Sequence, residues 1–153
     1  MTGPRMLKLP GPVEEQLRRH CQEQYPDEAC GALFGQGDGD ASPWIVTELR
    51  AAPNAHGADH RRRYLIPPDF QLGAERHAQA TGQEVLGYYH SHPDHPAQPS
   101  EYDRSHAWFG YLYLICAVRQ GQSAELNAFA LEAQGGTFLA VQEEPSLKHD
   151  GGL

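Results

Sequence analysis

Two short runs of the chain carry residue types that can do chemistry: His90-Ser91-His92-Pro93 and Ser100-Glu101-Tyr102-Asp103. Side chains at i and i+2 of a strand share a face. A strand ending here therefore sends both imidazoles toward one point and turns Ser91 the other way. A loop over residues 91–99, bearing Pro93, Pro96 and Pro99, then returns the chain. Asp103 falls in the first turn of a short helix that begins at Ser100. Two histidines and one carboxylate are a ligand set of catalytic zinc, which leaves the fourth tetrahedral position to water. Such a water needs a carboxylate general base beside it, and hydrolysis of an amide needs a donor for the oxyanion of the tetrahedral intermediate.

The same residues also admit plainer roles. Paired histidines at a strand end can simply bond backbone carbonyls. Asp103 can complement a helix dipole, and Ser100-x-x-Asp103 reads as a capping box with Asp in place of Glu. Capping and ligation are compatible, because the cap fixes the turn that presents the carboxylate. His95 and His106 are stray histidines, more suited to the rim of a site or to support behind the ligands than to ligation. Ser91 fits a supporting role better than that of a nucleophile. Trp108, Phe109 and Tyr111 read as core.

The elements that must position these groups follow from patterning. Pro10-Gly11-Pro12 opens a helix over about 12–24, with Val13, Leu17 and Cys21 on its apolar stripe. Tyr25-Pro26-Asp27 ends it. Glu28–Gly35 reads as a buried strand, residues 36–43 as a loop, and Trp44–Leu49 and Tyr64–Ile66 as further strands. Pro67-Pro68-Asp69 opens a second helix to about Ala80, with Phe70, Ala74, His77 and Ala78 on one side and Thr81-Gly82 as its stop. Glu84–His90 is the strand that carries the histidines. Tyr111–Val118 is a buried strand, Gln120–Ser123 a hairpin turn, Glu125–Leu131 its return, and Gly135-Gly136 the turn into Thr137–Val141. The class is α+β: a single domain with a mixed, mostly antiparallel, curved sheet flanked by helices. The expected organisation is an N-terminal segment over 1–11, the domain over 12–144, and a flexible tail over 145–153 that includes Gly151-Gly152.

Composition narrows the function. With 153 residues the chain fits one domain. A net charge of −8, from 20 acidic against 12 basic residues, disfavours a phosphodiester partner, so no nucleic acid is expected. Arg61-Arg62-Arg63 is the one basic cluster, a solvated edge or a partner-docking patch. The longest apolar run, Tyr111–Val118, is far short of the roughly 20 residues a membrane helix needs, and Met1–Pro10 has no apolar signal core. Cys21, Cys30 and Cys116 are an odd set without a CxxC pair, consistent with buried reduced thiols and a cytoplasmic setting. No motif specifies an oligomeric state.

HxH alone also occurs in cupins and amidohydrolases. Cupin spacing wants a glutamate where this chain has Pro96-Ala97-Gln98, and the amidohydrolase barrels need about 250 residues. HSHP followed after residues 93–99 by SEYD is more specific: it resembles the JAMM signature of the MPN-plus zinc metalloproteases. Upstream, Tyr25-Pro26-Asp27-Glu28-Ala29-Cys30-Gly31 resembles the family's first-strand motif, and the likeness extends over about Pro12–Val141. The resemblance implies zinc held by His90, His92 and Asp103, with Glu28 as general base and Ser100 as oxyanion donor. Nothing local to Glu28 implies that role, and Asp27 is its rival. It also implies hydrolysis of amide bonds at the tails of ubiquitin-like or sulfur-carrier proteins. Residues 29–89 leave little room for the insertions of the deubiquitinating branch, which points to a compact prokaryote-type member. The alternatives are a non-catalytic MPN-type interaction scaffold and a different small zinc amidohydrolase.

Overall fold

The computed structural model describes residues 5–37, 43–54 and 66–144. Within them the order is β1 (Met6–Lys8), α1 (Gly11–Gln24), β2 (Cys30–Gln36), β3 (Trp44–Ala52), α2 (Pro68–Thr81), β4 (Glu84–Pro93), α3 (Glu101–Ser105), β5 (Leu112–Arg119), β6 (Gln122–Leu131) and β7 (Phe138–Glu143). The strands form one mixed sheet in the order β1-β3-β2-β4-β5-β6-β7. The β2·β3, β2·β4, β5·β6 and β6·β7 pairs are antiparallel. The β4·β5 pair is parallel, and β1 pairs in parallel with both β3 and β7.

Alternation along the strands sorts the buried side chains onto two faces, with a third, smaller cluster of Ala97, Ile115, Ala117 and Phe129. Leu33, Val46, Tyr89, Leu114 and Cys116 face one side and pack with Val13, Leu17 and Cys21 of α1. Cys30, Ala32, Phe34, Tyr88 and Tyr113 face the other side and pack with Ala74 and Ala78 of α2. The period of two in the strands and of about four in the helices thus set which residues meet. The strands in the middle are buried on both faces, which is why β2 and β5 read as continuous apolar runs. All three cysteines are buried free thiols. Gly31 of β2 has a packing reason: a Cβ there would run into the Arg50 carbonyl and the Tyr89 ring. Gly82 ends α2 in the left-handed region, at φ 69°.

Four expectations change. The histidine strand does not stop at His90; β4 continues to Pro93, held in register with β5 by the His92↔Ala117 and Pro93↔Val118 pairs. The loop therefore begins only at Asp94. Trp108 and Phe109 are not core: they are 63% and 57% exposed, on a turn that Gly110 completes at φ 98°. Tyr111 does pack against the α2-side core. Met6–Lys8 is a strand of the sheet, where the sequence suggested only a leading segment. Of the expected strand at Tyr64–Ile66, Tyr64 and Leu65 lie outside the described residues, and Ile66 is buried but outside any strand. Arg61–Arg63 and the tail from residue 145 also lie outside the described residues. No helix among the described residues is long and apolar enough to cross a membrane.

Candidate active site

His90 and His92 project from the α2-side face of β4, the face that also carries Tyr88, while Ser91 shares the opposite parity with Tyr89. Both imidazoles are buried, and their Nε2 atoms lie 3.2 Å apart. Asp103 reaches them from α3. Its Oδ1 is 3.1 Å from His90 Nε2, and its Oδ2 is 3.1 Å from His92 Nε2.

The turn that presents Asp103 is a full capping box. The Asp103 amide donates to Ser100 Oγ at 3.0 Å, and the Ser100 amide donates to Asp103 Oδ2 at 2.9 Å. Ser100 Oγ thus acts as an acceptor toward the helix and keeps its own proton for another acceptor. The box caps α3 and aims the Asp103 carboxylate at the two imidazoles.

His92 Nδ1 lies 2.8 Å from the Pro96 carbonyl, an arrangement in which Nδ1–H donates. That contact holds the ring with Nε2 directed at Asp103 and at His90. Burial pulls both histidines toward the neutral form. It prevails at His90, whereas at His92 the Asp103 carboxylate and the Pro96 carbonyl outweigh it and raise the pKa. Burial also opposes ionisation of Asp103, but the two histidines and the Ser100 amide hold its carboxyl far below the usual range.

The donor set fits a divalent metal. One ligand atom from each of His90, His92 and Asp103 lies within 4.8 Å of the others. Ligands about 2.0–2.1 Å from a tetrahedral zinc stand roughly 3.3 Å apart, close to the 3.1–3.2 Å separations here. Two imidazole nitrogens and a carboxylate, converging in a buried place, are also the chemistry of an open catalytic site rather than a closed structural one.

A cavity of about 310 Å³ opens onto this cluster, lined by Glu28, His92, His95, Pro96, Gln98, Ser100 and Asp103. Glu28 enters from the segment before β2. It is brought there by the β2·β4 pairing, which sets Cys30 opposite His90. It is only 5% exposed, so it is not a solvated acid at a helix–strand junction. Asp27, the rival carboxylate, is not among the lining residues. His95 stands at the rim, as the sequence suggested. His106 is exposed, its ring stacked on Tyr102 with Nδ1 beside the Tyr102 carbonyl, away from the cluster. Burial and the Glu28 carboxylate push the Cys30 thiol up to about 12, so no thiolate nucleophile is offered here.

The sequence suggested a supporting role for Ser91 but not what it supports, and it did not suggest Asn54. The Ala29 amide donates to Ser91 Oγ at 2.8 Å, and Asn54, just beyond β3, donates through Nδ2 to the Glu28 carbonyl at 3.3 Å. No spacing signal could have linked Asn54 to this site.

The desampylase of Haloferax volcanii is 34% identical over 122 residues, covering 76% of this chain and 84% of that protein. A probable TtuB-protein conjugate cleaving protease of Thermus thermophilus is 30% identical over 110 residues, covering 72% and 69%. A solution structure of a protein from Desulfitobacterium hafniense superposes with a TM-score of 0.76 at 27% identity, covering 94% of this chain and 97% of that one. The Prok-JAB family, described as prokaryotic homologues of the JAB domain, matches residues 10–132. The chain therefore belongs to the prokaryotic JAB family, the JAMM-type branch that its histidine motif resembles.

Proposed function

We propose that the protein is a zinc-dependent isopeptidase that hydrolyses amide bonds at the C-terminal tail of a ubiquitin-like or sulfur-carrier protein. The observation that carries this reading is the meeting of Glu28 and Ser100 with the His90, His92 and Asp103 cluster at one cavity. The names of the two relatives, a desampylase and a TtuB-conjugate cleaving protease, support the substrate class.

In this reading His90, His92 and Asp103 hold the metal, and His92 keeps its orientation through Pro96. Bound zinc would supply a more acidic water and polarise the scissile carbonyl. Glu28 takes the proton released by the attacking water and later delivers it to the leaving amine. Ser100 donates its hydroxyl proton to the oxyanion of the tetrahedral intermediate. Small residues at the end of the substrate tail let its backbone approach the metal closely.

The test is an assay of the zinc-loaded chain on a sulfur-carrier protein fused at a Gly-Gly tail, alongside the Val-Val variant and polyubiquitin. Hydrolysis of the Gly-Gly fusion, with little cleavage of the other two, is expected. Equal rates on the Gly-Gly and Val-Val tails would remove the tail recognition. Absence of hydrolysis by the loaded chain would leave the non-catalytic scaffold.

A further inference from the structure

We infer that Ser91 and Asn54 are positioning residues, which clamp the peptide plane between Glu28 and Ala29 and so aim the Glu28 carboxylate into the cavity. This rests on the general-base reading of Glu28 given above.

The clamp closes on both ends of a single peptide unit. At one end the Ala29 N–H donates to Ser91 Oγ at 2.8 Å; at the other, Asn54 Nδ2 donates to the Glu28 carbonyl oxygen at 3.3 Å. The Cα of Glu28 is one of the six atoms of that plane. Fixing the plane therefore fixes the point from which the carboxylate side chain departs.

The register explains why a side chain is used. The β2·β4 ladder pairs Gly31 with Tyr89 and Cys30 with His90. One step on, Ala29 stands opposite Ser91, and the Ser91 amide donates to the Ala29 carbonyl at 3.0 Å. An antiparallel rung would be completed by the Ala29 amide on the Ser91 carbonyl. Here the Ser91 hydroxyl takes that amide instead. One of the two bonds of the last rung is thus made by a side chain, and Glu28 sits where the chain leaves it. Ala29 and Ser91 are both buried, so water is a poor substitute for the hydroxyl.

The arrangement also ties base to ligands. Ser91 lies between His90 and His92, so one residue reaches from the strand that carries both imidazoles to the peptide that carries the carboxylate. Asn54 ties that same peptide to the end of β3 on its other flank.

The experiment uses the full, zinc-loaded chain and the Gly-Gly fusion substrate. It compares Ser91→Ala, Ser91→Thr, Asn54→Ala, Glu28→Gln and the double variant Ser91→Ala/Glu28→Gln. Sub-ångström to ångström misplacement of a catalytic group can cut the rate about 10- to 100-fold. That drop in kcat is expected for Ser91→Ala, with KM held within about twofold, and Ser91→Thr restores most of the rate because it keeps the hydroxyl. Zinc content stays equal to the parent's, and hydrogen exchange at the Ala29 amide accelerates. The double variant turns over at the rate of Glu28→Gln alone, because Ser91 acts through Glu28.

Additive losses in the double variant, zinc loss in Ser91→Ala, or an unchanged kcat would each overturn the clamp. Should Ser91→Ala fail to fold, Asn54→Ala, at a half-buried position just beyond β3, carries the test. A several-fold lower kcat at constant KM and zinc content supports the clamp, and parental kinetics overturn it. Parental activity in Glu28→Gln removes the base reading itself, an outcome distinct from additivity.

Discussion

His77 and Glu48 stand 2.9 Å apart, and His92 and Asp103 stand 3.1 Å apart. At nearly the same distance, the two pairs sit in opposite chemical settings. Glu48 is 34% exposed and is met by donors: Gln83 Nε2 at 2.9 Å, Arg50 Nε at 3.3 Å and the His77 ring. Its lone pairs are spent on hydrogens. Asp103 is buried and takes the Ser100 amide, while its two oxygens face the Nε2 atoms of two histidines that also face each other. A carboxylate surrounded by donors is a satisfied surface network. A carboxylate and two ring nitrogens that converge within ligand distance of one another, shut away from solvent, leave a place for a cation. Histidine beside acid is thus not itself a sign of metal; the convergence of three ligand atoms in a buried place is.

The largest effect expected is at the ligands. The double variant His90→Ala/His92→Ala should lose its equimolar zinc, read by elemental analysis of protein purified without chelator, and all turnover with it. Full zinc retention would break the distinction between the two clusters. Next comes Glu28→Gln, which should keep its zinc and lose about 10²–10⁴-fold in rate, the usual scale of acid–base catalysis. Metal loss in this variant would make Glu28 a ligand instead.

Ser100→Ala and Ser100→Gly sharpen the comparison further. Either removes the oxyanion donor, for about 10²–10³-fold in kcat. The Ala variant also loses the N-cap, for about 1 kcal/mol, while Gly gives up only a few tenths. Matched kinetics with unequal melting temperatures would separate donation from capping.

The smallest effect belongs to the surface cluster. Glu48→Gln should leave zinc and turnover unchanged and alter stability by less than about 1 kcal/mol, because the pair is screened by solvent. Partial burial works against ionisation of Glu48, but the His77, Gln83 and Arg50 contacts outweigh it and hold its pKa below the usual value. A carboxyl depressed in the folded state stabilises above the unfolded pKa, about 4.3. That contribution is lost as pH falls through the folded value. Parent and variant should therefore converge in melting temperature under acid and differ at neutral pH.

Much of the His90, His92 and Asp103 cluster was legible because it is local. The two histidines share a strand face by parity alone, and Asp103 follows within one loop and one helical turn. Glu28 was legible only through the family resemblance, since it arrives by a pairing between β2 and β4 that no nearby residue announces. Asn54 arrives by a different long-range pairing, of β3 with β2, and was not anticipated. In the fold, α1 and α2 were readable from their stripes and their Pro and Gly boundaries. β1 was not, because three residues with one buried side chain carry no measurable period. Pro93 suggested the end of a strand, yet it occupies the last position of β4, where the missing N–H is tolerated. Trp108 and Phe109 misled because hydrophobicity does not say which way a turn faces. Their backbone amides are spent on the Tyr113 hydroxyl and the Gln134 side chain, and this leaves the rings outside.

The short β1 strand has a practical consequence for anyone handling the protein. It acts as a stave: Leu7 and Lys8 pair with Trp44 and Ile45 of β3, while Met6 and Leu7 pair with Gln142 and Glu143 of β7. Leu7 and Leu9 also plug the α1-side core. Trimming the chain to the start of α1 would remove that stave, uncover two strand edges and open the bottom of a core. Exposed edges recruit other chains. A shortened version chosen to look like a tidier domain would trade solubility for brevity, whereas a fusion placed ahead of Arg5 leaves the pairing intact.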